Sequence, residues 1–241
     1  MKETSTFVNP FRILSPKLDA ETIRIEELHA RALPQKVSLE EGVLIMISKL
    51  MEMTRLLSKT FVSGSHEQMD RCSALGLEVD ELEDMLTKEL IGAGIDAEVL
   101  KGVIRFPYRL ERIGDMLESM LNCSRAKATK GIPFSDKAHA ELDQLFAVML
   151  RMMSNLRDVL RVFNCVLVES IVADGKRLNQ MVEDFKLAHW ERLEMGLCHV
   201  AAHSMYRDIL DSAKVAGEYM IKMCETISEL EHCEVFASPA A

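Results

Sequence analysis

The chain has 241 residues, a formal net charge of -9, 48% hydrophobic residues and only 5% aromatic ones. That acidic balance, with no basic patch interleaved with aromatics, argues against a nucleic-acid-binding face. No apolar window approaches the roughly 18 residues of a membrane span, and the N-terminus MKETSTFVNPFRIL has no apolar run long enough for a signal peptide.

The length admits one large domain or two small ones. Abundant Leu, Met, Glu, Ala and Lys, with sixteen Met, point to packed helices rather than sheets. Pro10, Pro16 and Pro34 punctuate an irregular segment over 1–38, with room for a short helix at 23–33. Ser38-Leu39-Glu40-Glu41 is a capping-box signature, and it predicts a helix running to about Val62. Ser63-Gly64-Ser65 ends that helix, and Leu75, Val79, Leu82 and Leu86 mark one face of a second over 66–90. After Gly92-Ala93-Gly94 a third helix is expected over 96–128, bent by Pro107. Lys130-Gly131-Ile132-Pro133 is the clearest internal boundary. A long helix over 134–172 follows, which Asp174-Gly175 bends or ends. A further helix reaches about Ala188, and the last spans about 191–231 before a tail over 233–241. The expected fold is therefore all-α: two tandem three-helix bundles, 39–131 and 132–232, related by an internal repeat.

The repeat is faint but ordered. An offset of 103 residues (217 − 114) lays Leu110-Glu111-Arg112-Ile113-Gly114-Asp115 over Ala213-Lys214-Val215-Ala216-Gly217-Glu218. The same offset puts Asp80 on Glu183 and Glu81 on Asp184, and Asp70 within one residue of Asp174. Glu111 and Asp115, at i and i+4, project from one helical face about 6 Å apart at Cβ. Two such carboxylates repel unless a metal ion, a basic side chain or water lies between them. Arg112 is expected on a different face, unable to bridge both, while Arg109 is placed to pair with one of them across a turn.

Other constellations carry less. His199 and His203, read as i and i+4 on one helix, have a zinc-like spacing but lack the Glu of H-E-x-x-H. Glu26-x-x-His29 and Glu229-x-x-His232 imitate the paired E-x-x-H of di-metal carboxylate oxidases, but near the chain ends. There is no G-x-S-x-G and no Gly-rich phosphate loop. The clusters Met46, Met51, Met53 and Met149, Met152, Met153 read as core or as a dimer face. The six cysteines (Cys72, Cys123, Cys165, Cys198, Cys224, Cys233) form no C-x-x-C pair, which reads as reduced thiols in a cytoplasmic protein.

The layout and the string LERIGD together resemble the PhoU family, built from two three-helix bundles with an acidic E/D-x-x-x-D motif on the third helix of each. The resemblance covers about 40–231 and is specific only at the first motif. It implies metal binding by Glu111 and Asp115, joined from the preceding helix by Asp80 and Asp70. In the second repeat Lys214 replaces the first carboxylate and is expected to pair with Glu218, so that site, with Glu218 and Glu183, is expected lost or weakened. All-oxygen ligands imply Mg, Ca, Mn or iron as the metal. The string His189-Trp190-Glu191-Arg192-Leu193-Glu194-Met195-Gly196 also resembles PhoU-like cytoplasmic domains of sodium/phosphate cotransporters, where it opens the last helix. The resemblance implies a cytoplasmic, non-enzymatic regulator of phosphate transport or phosphate signalling, partnered by a phosphate transporter or an associated signalling protein and able to self-associate. The rival expectation is a metal-independent helical scaffold or dimer that binds a protein partner.

Overall fold

A computed structural model describes residues 38–94 and 96–230. The expectations placed on 1–37, on His29 and Glu26, and on His232 and the tail lie outside the described residues. Within them all regular structure is helical: α1 (Leu39–Ser63), α2 (His66–Gly92), a short α3 (Ala97–Val103), α4 (Arg105–Lys130), α5 (Asp136–Arg161), α6 (Cys165–Glu194) and α7 (Ala202–Leu230). Among the described residues no helix is long and apolar enough to cross a membrane.

Starts and stops have local causes. Ser65 Oγ accepts from Gln68 N–H at 3.3 Å to open α2, Ser135 Oγ from Ala138 N–H at 3.2 Å to open α5, and Asn164 Oδ1 from Val166 N–H at 2.9 Å to open α6. Gly131 (φ 62) ends α4 with Ile132 N–H bonded back to Lys127 O at 3.0 Å. Gly196 (φ 70) ends α6 the same way, Gly196 N–H reaching Leu193 O and Leu197 N–H reaching Arg192 O at 2.8 Å.

Four boundaries differ from expectation. The third helix is interrupted at Ile104, so Pro107 falls in the first turn of α4, where its missing N–H costs nothing. The expected helix over 134–172 is two helices, because Asn164 caps a new one within an apolar run. Asp174 and Gly175 lie buried in mid-α6 and do not end it: Arg151 of α5 pairs with Asp174 through Nε at 2.6 Å and Nη2 at 2.5 Å. His189 to Gly196 closes α6 rather than opening the last helix, which begins at Ala202.

Helices α1, α2 and α4 form one bundle and α5, α6 and α7 the other, joined where α4 packs along α7 and α1 along α5. The six clustered methionines Met46, Met51, Met53, Met149, Met152 and Met153 are all core residues. Buried residues confirm the offset of 103 in α4 and α7: Leu110/Ala213, Ile113/Ala216, Gly114/Gly217 and Leu117/Met220. In α2 and α6 it is one turn too large. A methyl on Gly114 would sit 3.6 Å from Val79 and one on Gly217 would sit 2.7 Å from Leu178, so Val79 corresponds to Leu178, an offset of 99 (178 − 79). Gly76 beneath Glu118 and Gly175 beneath Ile221 give the same correction.

The two motif glycines differ in room. Gly114 has only ordinary contacts for an added methyl, at 3.5 Å and 3.6 Å, whereas at Gly217 the methyl meets Leu178, itself fully buried. Gly217→Ala is expected to cost about 1–3 kcal/mol by overpacking. Gly114→Ala should stay within about 1 kcal/mol of the parent, since the better helix propensity of Ala offsets its contacts. Urea unfolding of both variants checks the order.

Candidate functional site

Helix α4 carries Glu111, Asp115 and Glu118 at i, i+4 and i+7, and α2 packs beside it with Asp80 and Glu83. The carboxylates feel one another. Partial burial first, then Asp115, pushes Glu111 up to about 7, with Arg112 opposing and Asp80 and Glu83 adding. Asp80 rises to about 6 through loss of solvent and then the charges of Glu118, Asp115, Glu83 and Glu81. Glu118 is also raised, by burial and by Asp115, and its carboxylate rests on the bare backbone at Gly76, where a methyl would lie 2.3 Å from Oε1.

Two guanidiniums answer these five acids, Arg125 opposing at Glu118 and Arg112 at the motif pair. Arg112 Nη1 lies 2.6 Å from Asp115 Oδ2 and 3.6 Å from Glu111 Oε1, so it does bridge both, contrary to expectation. The reach of its side chain exceeds what its Cβ direction suggests. Arg109 does not pair with the motif. It crosses to α7, donating to Lys222 O and, at 2.7 Å, to Thr226 Oγ1.

The structure thus brings Glu111, Asp115 and Asp80 to one face and leaves Asp70 away from it. Asp70 is exposed, pairs with Arg125 Nη2 at 3.3 Å, and stands about 15 Å along α2 from Asp80. Sequence reasoning missed Glu118 and Glu83, although the i+7 spacing from Glu111 and the i+3 spacing from Asp80 signalled them. Among the described residues no three His, Cys, Asp or Glu side chains are already converged as a metal-ready group. The donor set fits a hard cation by chemistry: all carboxylate oxygen, in excess of its counter-charge, with two acids held partly protonated near neutrality.

The second bundle has replaced nearly every one of these positions. With the corrected register, Asp80 corresponds to Asn179, Glu83 to Val182, Glu111 to Lys214 and Glu118 to Ile221, leaving only Glu218 opposite Asp115. Lys214 does not pair with Glu218 as expected but reaches Glu183 of α6 at 3.2 Å, and Lys186 joins Asp211 at 2.5 Å and Glu183 at 3.5 Å. Those two lysines hold Glu183 below its ordinary value.

The two candidate histidines are not i and i+4 on one helix. His199 precedes α7, its Nδ1 accepting from Ala201 N–H at 3.2 Å, while His203, in the first turn of α7, stacks on His189. Burial pushes the thiols of Cys72 and Cys224 up to about 12 and Cys123 to about 11, which suits packing and not nucleophilic work. Cys165 is disulfide-bonded, a departure from the expectation that every thiol is reduced.

No family model matches the sequence, and no curated protein matches it. Solved structures do match. The crystal structure of PhoU from Pseudomonas aeruginosa superposes with a TM-score of 0.72 at 13% identity, over 80% of this chain and 95% of that one. The crystal structure of the phosphate transport system regulatory protein PhoU from Streptococcus pneumoniae does so with a TM-score of 0.70 at 13% identity, over 83% and 96%. The chain has the all-helical PhoU fold, with its two-bundle repeat.

Proposed function

We propose that the protein is a non-enzymatic regulator of phosphate transport or phosphate signalling that binds a divalent cation or iron on the α2–α4 acidic face. The observation that carries the metal is the charge imbalance there: Asp80, Glu83, Glu111, Asp115 and Glu118 against Arg112, with Arg125 opposing only at Glu118. Glu111 and Asp115 are the first ligands, Asp80 and Glu118 the next. The phosphate side of the reading rests on the fold shared with the PhoU proteins, among them the phosphate transport system regulatory protein of Streptococcus pneumoniae. The partner is then a phosphate transporter or its signalling protein, met in the cytoplasm, with self-association available. The raised thiols support a role without covalent catalysis.

Elemental mass spectrometry on protein purified without tag or chelator tests the metal. Stoichiometric Mn, Fe, Ca or Mg that disappears in Glu111→Ala/Asp115→Ala is the expected result. A protein that takes up none, even from excess ions, supports the second reading, a metal-independent scaffold that binds a protein partner. Arg112 favours that reading, since it already bridges Glu111 and Asp115.

A further inference from the structure

His189, near the end of α6, is 2% exposed, and neither of its ring nitrogens has a hydrogen-bond partner among the described residues. Its ring stacks on His203 of α7, centroids 5.3 Å apart and 11° from parallel, and tilts onto Tyr206 at 4.6 Å. Trp190 closes the group from outside, its ring edge-on to His203 at 5.9 Å. The Nδ1 of His203 is likewise buried and unpartnered. Beside His189 is a cavity of about 10 Å³, shared with Cys198 and His199 of the turn, with room for one water at most.

The groups facing this imidazole make a proton on it costly. From α6 comes Arg192, a cation, and from α7 come His203 and Tyr206. From the turn come Cys198 and His199. From α5 comes Glu141, the one carboxylate, and it is already taken by two N–H bonds of Arg192 and the hydroxyl of Tyr206. A neutral ring fits the stack and a charged one finds no acceptor. The stack joins the two helices that flank the turn over 195–201, which carries Met195, Leu197 and Val200 exposed.

We propose that the His189–His203 stack is an acid-sensitive latch: one proton on His189 opens the turn between α6 and α7 and rearranges the apolar surface that the turn displays. Burial, Arg192 and His203 hold His189 below its ordinary value. The opened form therefore binds the proton more readily than the closed form, and opening grows as pH falls below about 6.5. This device is independent of the acidic face on α2 and α4.

Amide hydrogen exchange on the full chain, corrected for the intrinsic pH dependence of exchange, tests it. The amides of Gly196, Leu197 and His203 are bonded in the closed turn. Their protection is expected to fall by up to tenfold per pH unit below about 6.5, the slope of a one-proton linkage, while mid-helix amides of α5 keep theirs. In His189→Phe the pH dependence should vanish. If that variant does not fold, His189→Asn serves, and the imidazole of His189 in the parent chain is titrated by NMR as well. Protection independent of pH in the parent, the same slope in the variant, or a His189 that titrates above 6.5 would each overturn the latch.

Discussion

Arg192→Met is expected to lower the unfolding free energy by about 3–5 kcal/mol, the usual cost of stripping one partner from a buried ion pair. Glu141 of α5 is 1% exposed and lies on the apolar stripe with Ala138, Leu142 and Leu145. Arg192 reaches it from α6 with two N–H bonds, Nη1 at 2.9 Å and Nη2 at 2.6 Å, and Tyr206 of α7 donates its hydroxyl at 2.5 Å. One carboxylate thus ties together all three helices of the second bundle. Without the guanidinium it keeps the tyrosine alone and must take a proton or draw in water. The double variant Glu141→Leu/Arg192→Met removes both charges and should recover most of the loss, because the desolvation cost goes with the pair. Urea unfolding of the single and double variants at pH 7.5 measures this. A double variant as unstable as Arg192→Met would mean that the packing of the arginine stem, not the ion pair, carries the effect.

That triad was illegible in the sequence for a physical reason. Its members are 51 and 65 residues apart, and nothing local distinguishes Glu141 from a surface glutamate except its place in the apolar stripe. What was legible is what local rules determine. The capping-box signature from Ser38, the Ser63-Gly64-Ser65 stop, the Gly131 break and the apolar stripes mark α1, α2 and the break before α5. Local rules misled where one residue does two jobs. Asn164 caps α6 within an apolar run, so the run looked continuous, and Gly175 admits Ile221 and Met152 rather than ending a helix. The repeat was placed correctly through Gly114 and Gly217 but slipped a turn in α2 and α6, where the acids invited matching by charge. At the site, helical spacing found Glu111 and Asp115 and stopped short of Glu118, while Arg112 defeated the helical wheel by reach.

In chelator at pH 8, Glu111→Gln is expected to be more stable than the parent by about 1–2 kcal/mol. Glu111's side chain is 22% exposed, so its charge is only partly screened, and its folded value of about 7 lies above that of an unfolded glutamate. The folded chain therefore holds this proton more tightly than the unfolded one. The stability this gives is present below about pH 4.5 and is lost as pH rises through about 7. Asp80, raised to about 6, adds a penalty of the same sign over a lower window, so Asp80→Asn should act in the same direction. The stability difference between variant and parent, followed by urea unfolding from pH 4.5 to 8, isolates these terms from the histidines. A cation reverses the order. Mn or Ca at a hundredfold excess over its Kd should stabilise the parent by about 2.7 kcal/mol at pH 8, stabilise Glu111→Gln far less, and lose its effect at pH 5, where Glu111 and Asp80 carry protons. If no ion stabilises the parent at pH 8 while Glu111→Gln still gains, the strain on α2 and α4 is real but is answered only by the chain's own arginines, Arg112 and Arg125. The face is then a surface for a cationic group on a protein partner, because the same uncompensated carboxylates that attract a metal also attract an arginine or lysine from another chain.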